Sequence, residues 1–182
     1  MQTKTDIASF VEQQPFLLAL LRILAALPID DCWIGAGVLR NAVWDYLHNH
    51  PVQLASGSDV DVVYFDHSRG NSECDRIIEH QLAEARSDIP WSVRNQARMH
   101  ERNSDAPYFD CEDAIRCWPE TATAIAARLR NERVQLIAPH GVDDLVHMIV
   151  RPTPAFRTKI SIYERRIASK DWACRWPRLT FL

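Results

Sequence analysis

A chain of 182 residues is long enough to bury a core as a single domain without disulfides or a structural metal. Its 47% apolar and 25% charged residues exclude a disordered or fibrous chain, and a net charge of −3 argues against binding nucleic acid through the overall field. Five cysteines with no C-x-x-C pair exclude a zinc ribbon and a paired disulfide framework, and point to a reducing, cytoplasmic setting.

Phe16, Leu17, Leu20, Leu21, Ile23, Leu24 and Leu27 recur at helical spacing and predict a first helix closed by Pro28. This stretch is interrupted by Arg22 and falls short of the ~20 residues that span a bilayer. Its flank contains Asp6 and Glu12 and lacks the basic character of a signal peptide, so neither secretion nor a membrane partner is expected. Cys32 to Ile34 reads as a short strand feeding Gly35-Ala36-Gly37, after which Val38, Leu39, Ala42, Val43, Tyr46 and Leu47 resume the helical period. His48 to Gly57 is expected as loop, Ser58 to Phe65 as strand, and Asp75 to Ala85 as helix. Trp91 to Met99 follows as a strand, with Ser92, Arg94, Gln96 and Arg98 on one side and Val93, Asn95, Ala97 and Met99 on the other. The pattern then turns helical: Asp110 to Trp118, and Pro119 to about Arg130. A brief strand, Val134 to Ala138, precedes a helix from Gly141 to Val150. Pro152-Thr153-Pro154 breaks the chain before a last helix from Phe156 to roughly Asp171.

These elements predict an α/β (α+β) fold, a small mixed sheet flanked by helices, as one domain over residues 1–182. Residues 1–150 form its core, and residues 151–182 a helical C-terminal part along one wall of a cleft. That last part is basic, with eight Lys/Arg against Glu164 and Asp171. Such a run suits phosphates or simply a solvated helix face.

Two features carry chemistry. Glycines at a strand-to-helix turn let backbone approach a ligand, and free N–H groups at a helix N-terminus favour anionic oxygens. Gly35 and Gly37 meet both conditions, although helix packing alone also explains such a turn. Asp59 and Asp61 lie two apart, so an extended strand points both to one face, about 6 to 7 Å apart along the chain. Two acids side by side are costly to bury unless a cation compensates, and Mg²⁺ is the hard, oxygen-seeking partner that carboxylates share with phosphates. The alternative is an edge strand whose acids face water. His48 and His50 suit capping of a helix end better than metal ligation.

Together, Gly35-Ala36-Gly37, a helix and Ser58-Asp59-Val60-Asp61 resemble the signature of the DNA polymerase β-like nucleotidyltransferase superfamily. Trp33 to Asp66, with Trp91 to His100 and Trp118 to Thr123, is similar to a bacterial group of nucleotidyltransferase-like proteins. The resemblance implies that Asp59 and Asp61 coordinate two Mg²⁺ ions, and that Gly35, Gly37 and Ser58 contact the triphosphate of an NTP. It also places Arg40 near the triphosphate, unless Arg40 is a surface arginine on an amphipathic helix. The implied reaction moves a nucleoside monophosphate onto a hydroxyl or phosphate acceptor and releases pyrophosphate; the net negative charge favours a small molecule or protein over nucleic acid as that acceptor.

Two departures follow. The 21 residues between Gly37 and Asp59 are more than the superfamily's usual link. Active members also carry a third carboxylate on a later strand, and Trp91 to Met99 contains none. Asn95 is the nearest polar candidate there, and Glu101 or Asp105 can substitute from the strand's end. An amide ligates metal but cannot act as a carboxylate base, so a nucleotide-binding or sensing module impaired in transfer is the alternative function.

Overall fold

Five strands form a mixed sheet in the computed structural model, which describes residues 1–55 and 57–182. Ser56, in the expected loop, lies outside them. The strands are β1 (Cys32–Gly35), β2 (Val60–Tyr64), β3 (Trp91–Asn95), β4 (Ala126–Arg130) and β5 (Arg133–Ile137), in the spatial order β3-β2-β1-β4-β5. β1 is antiparallel to both β2 and β4, β4 is antiparallel to β5, and β2 is parallel to β3.

Helices α1 (Lys4–Gln13), α2 (Pro15–Ala25), α3 (Gly37–Leu47) and α4 (Ser72–Ala85) supply the larger core. Leu17, Leu20, Leu21, Leu24, Trp44, Ile78 and Leu82 pack there against Ile34, Val60, Val62, Tyr64 and Val93. α4 is the crossover that a parallel β2–β3 pair requires. After α5 (Met99–Asn103), α6 (Cys111–Arg116) covers part of the opposite face, where Cys111 and Ile115 meet Trp33, Val63, Ala126 and Ile137. Alternation along β2 therefore sends Val60, Val62 and Tyr64 into the large core. Asp61 and Val63 go to the face that α6 covers only in part.

The chain departs from periodicity in four places. α1 precedes the expected first helix because Thr3 and Asp6 form a reciprocal capping box, and Pro15 then opens α2 at 94° to it. Among the described residues, no single helix is long and apolar enough to cross a membrane. Residues 119–130 do not form a helix: turns lead to β4, and Asn131 and Glu132, with φ of 51° and 57°, make the two-residue hairpin turn into β5. The alanines there favour helix locally, but Ala124, Ala126 and Ala127 are fully buried and the sheet pairing prevails. β3 ends at Asn95, whose side-chain oxygen accepts from Ala97 N–H at 3.1 Å and turns the chain. Finally, the two expected C-terminal helices break up. α7 (Asp143–Val146) leads to β6 (Ile149–Val150), which pairs in parallel with β7 (Thr180–Phe181). Between them run α8 (Pro154–Arg157), α9 (Ile160–Ala168) and α10 (Trp172–Arg175).

Candidate functional site

β1 delivers the chain into a turn where Ala36 takes φ 52°, ψ −122°, a conformation that suits glycine better than alanine. Ala36 N–H donates to Ile125 O at 3.0 Å, and α3 begins at once with Gly37. No side chain caps α3 and no acid lies in its first turn, so its leading amides and positive dipole end are available to an anion. Gly35 is glycine for another reason. A Cβ there would lie 2.7 Å from Trp118 Cη2, so Gly35 makes room for an indole behind the turn. A Cβ on Gly37 would meet only Arg40 Nη2, at 3.8 Å.

In front of this turn is a cavity of about 550 Å³. Ala36, Gly37, Arg40, Ser58, Asp59 and Asp61 line it together with Arg166, Lys170, Trp172 and Arg175 of the C-terminal segment. Asp61 is on β2 and Asp59 just precedes it, exposed at the mouth. Burial, then the charge of Asp59, pushes the Asp61 carboxyl up to about 6, against the opposing pull of Arg166, Arg40 and Arg94. Arg40 is a buried cation on the floor. Its guanidinium donates to Thr123 Oγ1 and Asn41 Oδ1, both at 2.8 Å, and stacks 4.1 Å from the Trp172 ring centre. Burial lowers its pKa to about 10, which leaves it charged at neutral pH. Arg166 is held in place by the fully buried Glu120, its Nε donating to Oε1 at 2.6 Å.

A second recess of about 390 Å³ shares Ala36, Asp61, Thr123 and Arg166 with the first, then extends to Arg94, Gln96, Arg102, Trp118 and Phe156. Asp61 stands at the waist between them.

The structure thus gathers Gly37, Arg40, Ser58, Asp59 and Asp61 around one cavity. It does not bring Asn95 there, a correction to the expected catalytic role. Asn95 pairs with Tyr64 on the core face and is fully buried. Its amide donates to Asp66 O and Arg69 O at 2.7 and 2.8 Å and fixes the loop after β2. Neither substitute acid reaches the site. Glu101 is exposed on α5, and Asp105 is occupied by Lys159 Nζ and Tyr108 Oη, both at 2.6 Å. His48 lies with Nδ1 2.8 Å from Trp44 O and Nε2 3.3 Å from Arg178 N, a structural role. Among the described residues, no three of His, Cys, Asp and Glu gather as a metal cluster. A hard divalent cation nevertheless fits the aspartate pair, because Asp61 is half-buried beside a like charge and a cation relieves that cost. Sequence reasoning missed Thr123, Glu120 and the individual roles of Arg166 and Trp172. The signs of them were the stretch Trp118 to Thr123 within the resemblance, which contains Glu120 and Thr123, and the excess of basic residues from Arg151 on.

The sequence matches the nucleotidyltransferase family over residues 22–181. The chain belongs to that family. This nucleotidyltransferase is similar to a protein whose NMR structure reveals a CCA-adding enzyme head domain, at 30% identity over 100% of this chain and 97% of that one, with a TM-score of 0.87. It also shares its fold with a tRNA-processing enzyme in an apo form, at 16% identity and TM-score 0.54 over 90% of this chain and 44% of that one. The CCA-adding enzyme of Bacillus stearothermophilus, solved with CTP, matches at 15% identity and TM-score 0.50, over 85% of this chain and 38% of that one. The nucleotidyltransferase therefore has the DNA polymerase β-like fold that the resemblance implied. No curated protein matches it.

Proposed function

We propose that the protein is a cytoplasmic, Mg²⁺-dependent enzyme that moves a nucleoside monophosphate from an NTP to an acceptor and releases pyrophosphate. The observation that carries this reading is that Asp59 and Asp61 line one cavity together with the uncapped start of α3 and the cationic side chains of Arg166, Lys170 and Arg175. Asp59 and Asp61 would hold the two Mg²⁺ ions, which supply charge neutralisation and a Lewis acid for phosphoryl chemistry. The Gly37 amide and the Ser58 hydroxyl receive the triphosphate oxygens, while Arg40, Arg166 and Lys170 balance its charge. Catalysis by these groups is positioning and charge stabilisation. The capture of CTP by the Bacillus stearothermophilus relative supports an NTP as substrate, and five free thiols suit a reducing compartment.

Titration calorimetry with Mg²⁺ and each NTP tests the site. Wild type is expected to bind at least one NTP, and Asp59→Ala/Asp61→Ala to lose at least about tenfold in affinity. Equal binding by the two proteins refutes the site. A second reading, a module that binds nucleotide without transferring it, is favoured by the missing third carboxylate among the described residues. Release of pyrophosphate above background with any acceptor eliminates it.

A further inference from the structure

The second recess begins where the nucleotide cavity ends, at Asp61 and Arg166. A molecule seated there would meet the reacting end of a nucleotide held in the first lobe. Its composition differs from what a hydroxyl acceptor requires. Asp61 is its only acid among the described residues, whereas Arg94, Arg102 and Arg166 supply three guanidinium groups. The β2–β3 register explains this: Ser92, not an acid, lies beside Asp61, and Arg94 lies beside Val63, so the strand next to the acidic pair offers the recess a cation. Arg94 is partly engaged by Glu79 at 3.0 Å and Arg166 by Glu120, while Arg102 is exposed and has no ion pair among the described residues. Trp118 and Phe156 add apolar surface for the rest of a small ligand.

An alcohol must lose its proton as it attacks, a loss that a base within hydrogen-bonding reach accelerates. Among the described residues no carboxylate lines the recess apart from Asp61, which belongs to the proposed metal-binding pair. A phosphate monoester needs no base, because its second ionisation, near pH 6, leaves mostly dianion at neutral pH, and arginine forks match its oxygens. We propose that the recess binds a small phosphate monoester, whose own phosphate oxygen is the acceptor. This deepens the proposed function and rests on it. A non-bridging oxygen of the monoester bonds to the α-phosphorus of the NTP, and the bond from that phosphorus to the α,β-bridging oxygen breaks. Pyrophosphate leaves with the electron pair. The product joins the nucleoside monophosphate to the monoester through a new phosphoanhydride, with no proton to remove.

Inorganic phosphate is the smallest probe of this chemistry, since its attack converts an NTP to an NDP and pyrophosphate. With Mg²⁺, unlabelled NTPs and radiolabelled phosphate, label is expected in the β-position of the NDP, which simple hydrolysis cannot produce. Glycerol phosphate and phenyl phosphate are expected to release pyrophosphate, whereas glycerol and phenol are not. Arg102→Ala should lower the rate at subsaturating acceptor by about tenfold, the loss of one charge-assisted contact, with NTP affinity unchanged. Pyrophosphate release driven by glycerol or phenol overturns the inference. So does NTP binding that depends on Asp59 and Asp61 without label transfer or release from any phosphorylated probe. An absence of NTP binding instead fails the nucleotide site itself, by a separate measurement.

Discussion

Asp61 carries the main electrostatic cost of the candidate site. Burial and Asp59 hold its carboxyl at about 6, above the ordinary 3.8. A folded-state value above the unfolded one means that the folded protein binds the extra proton in that interval, so stability falls as pH rises from about 4 to about 6. Above that window the full penalty, on the order of 3 kcal/mol, is in force. Asp61→Asn is therefore expected to melt above wild type at neutral pH and to melt with it below about pH 4; coincident curves at both pH values would remove the electrostatic cost. Ala36 carries a second, smaller cost in its positive φ. Ala36→Gly should stabilise by about 1 kcal/mol, or about 2 to 4 °C in melting midpoint, and a lower midpoint would show that alanine fits there without strain. At this scale the aspartate pair, Gly37 and Arg40 were legible, since alternation and helix spacing are local. Asn95 was not, because alternation divides β3 into two sets without saying which set meets Asp61. The β2–β3 register decides that, and it is set by residues about thirty positions away in the chain.

The element that shapes the cleft most is the C-terminal segment, and it is fastened to α3. Asp45, buried on α3, accepts from Arg175 Nη2 at 2.8 Å and from Trp176 Nε1 at 2.9 Å. Trp44 beside it packs edge-on against Trp172 and Trp176, with ring centres 5.7 and 5.2 Å away. Asp45→Ala strands an indole N–H and a guanidinium, so it is expected to cost about 2 to 4 kcal/mol. It should also raise amide hydrogen exchange in residues 172–182 before the sheet loosens; uniform exchange changes across the chain would contradict a local fastening. The sequence hinted at this wall only as a basic run. Its partner, Asp45, was hidden because an acid on an amphipathic helix looks like a solvated one. β4 misled for a related reason: an alanine-rich stretch satisfies both helix propensity and the small volume that a strand buried on both faces demands, and only the Asn131–Glu132 turn separates the two.

At the scale of the whole molecule, one face of the sheet is sealed by four helices and the other is left partly open. The acids sit on the open face because their strand's other parity is fully committed to the core. The mixed sheet and the turn-helix-strand order were readable in advance because those signals are contiguous. The cleft was not, since its walls come from residues as far apart as Ala36 and Trp176, and no local period reports their meeting. The clamp of three indoles has a kinetic corollary. A receptor whose far rim is already anchored before its guest arrives spends little conformational entropy on capture. Loading should therefore proceed in one encounter-controlled phase with only a small heat-capacity change, without the slow second phase of a receptor that must fold around its cargo.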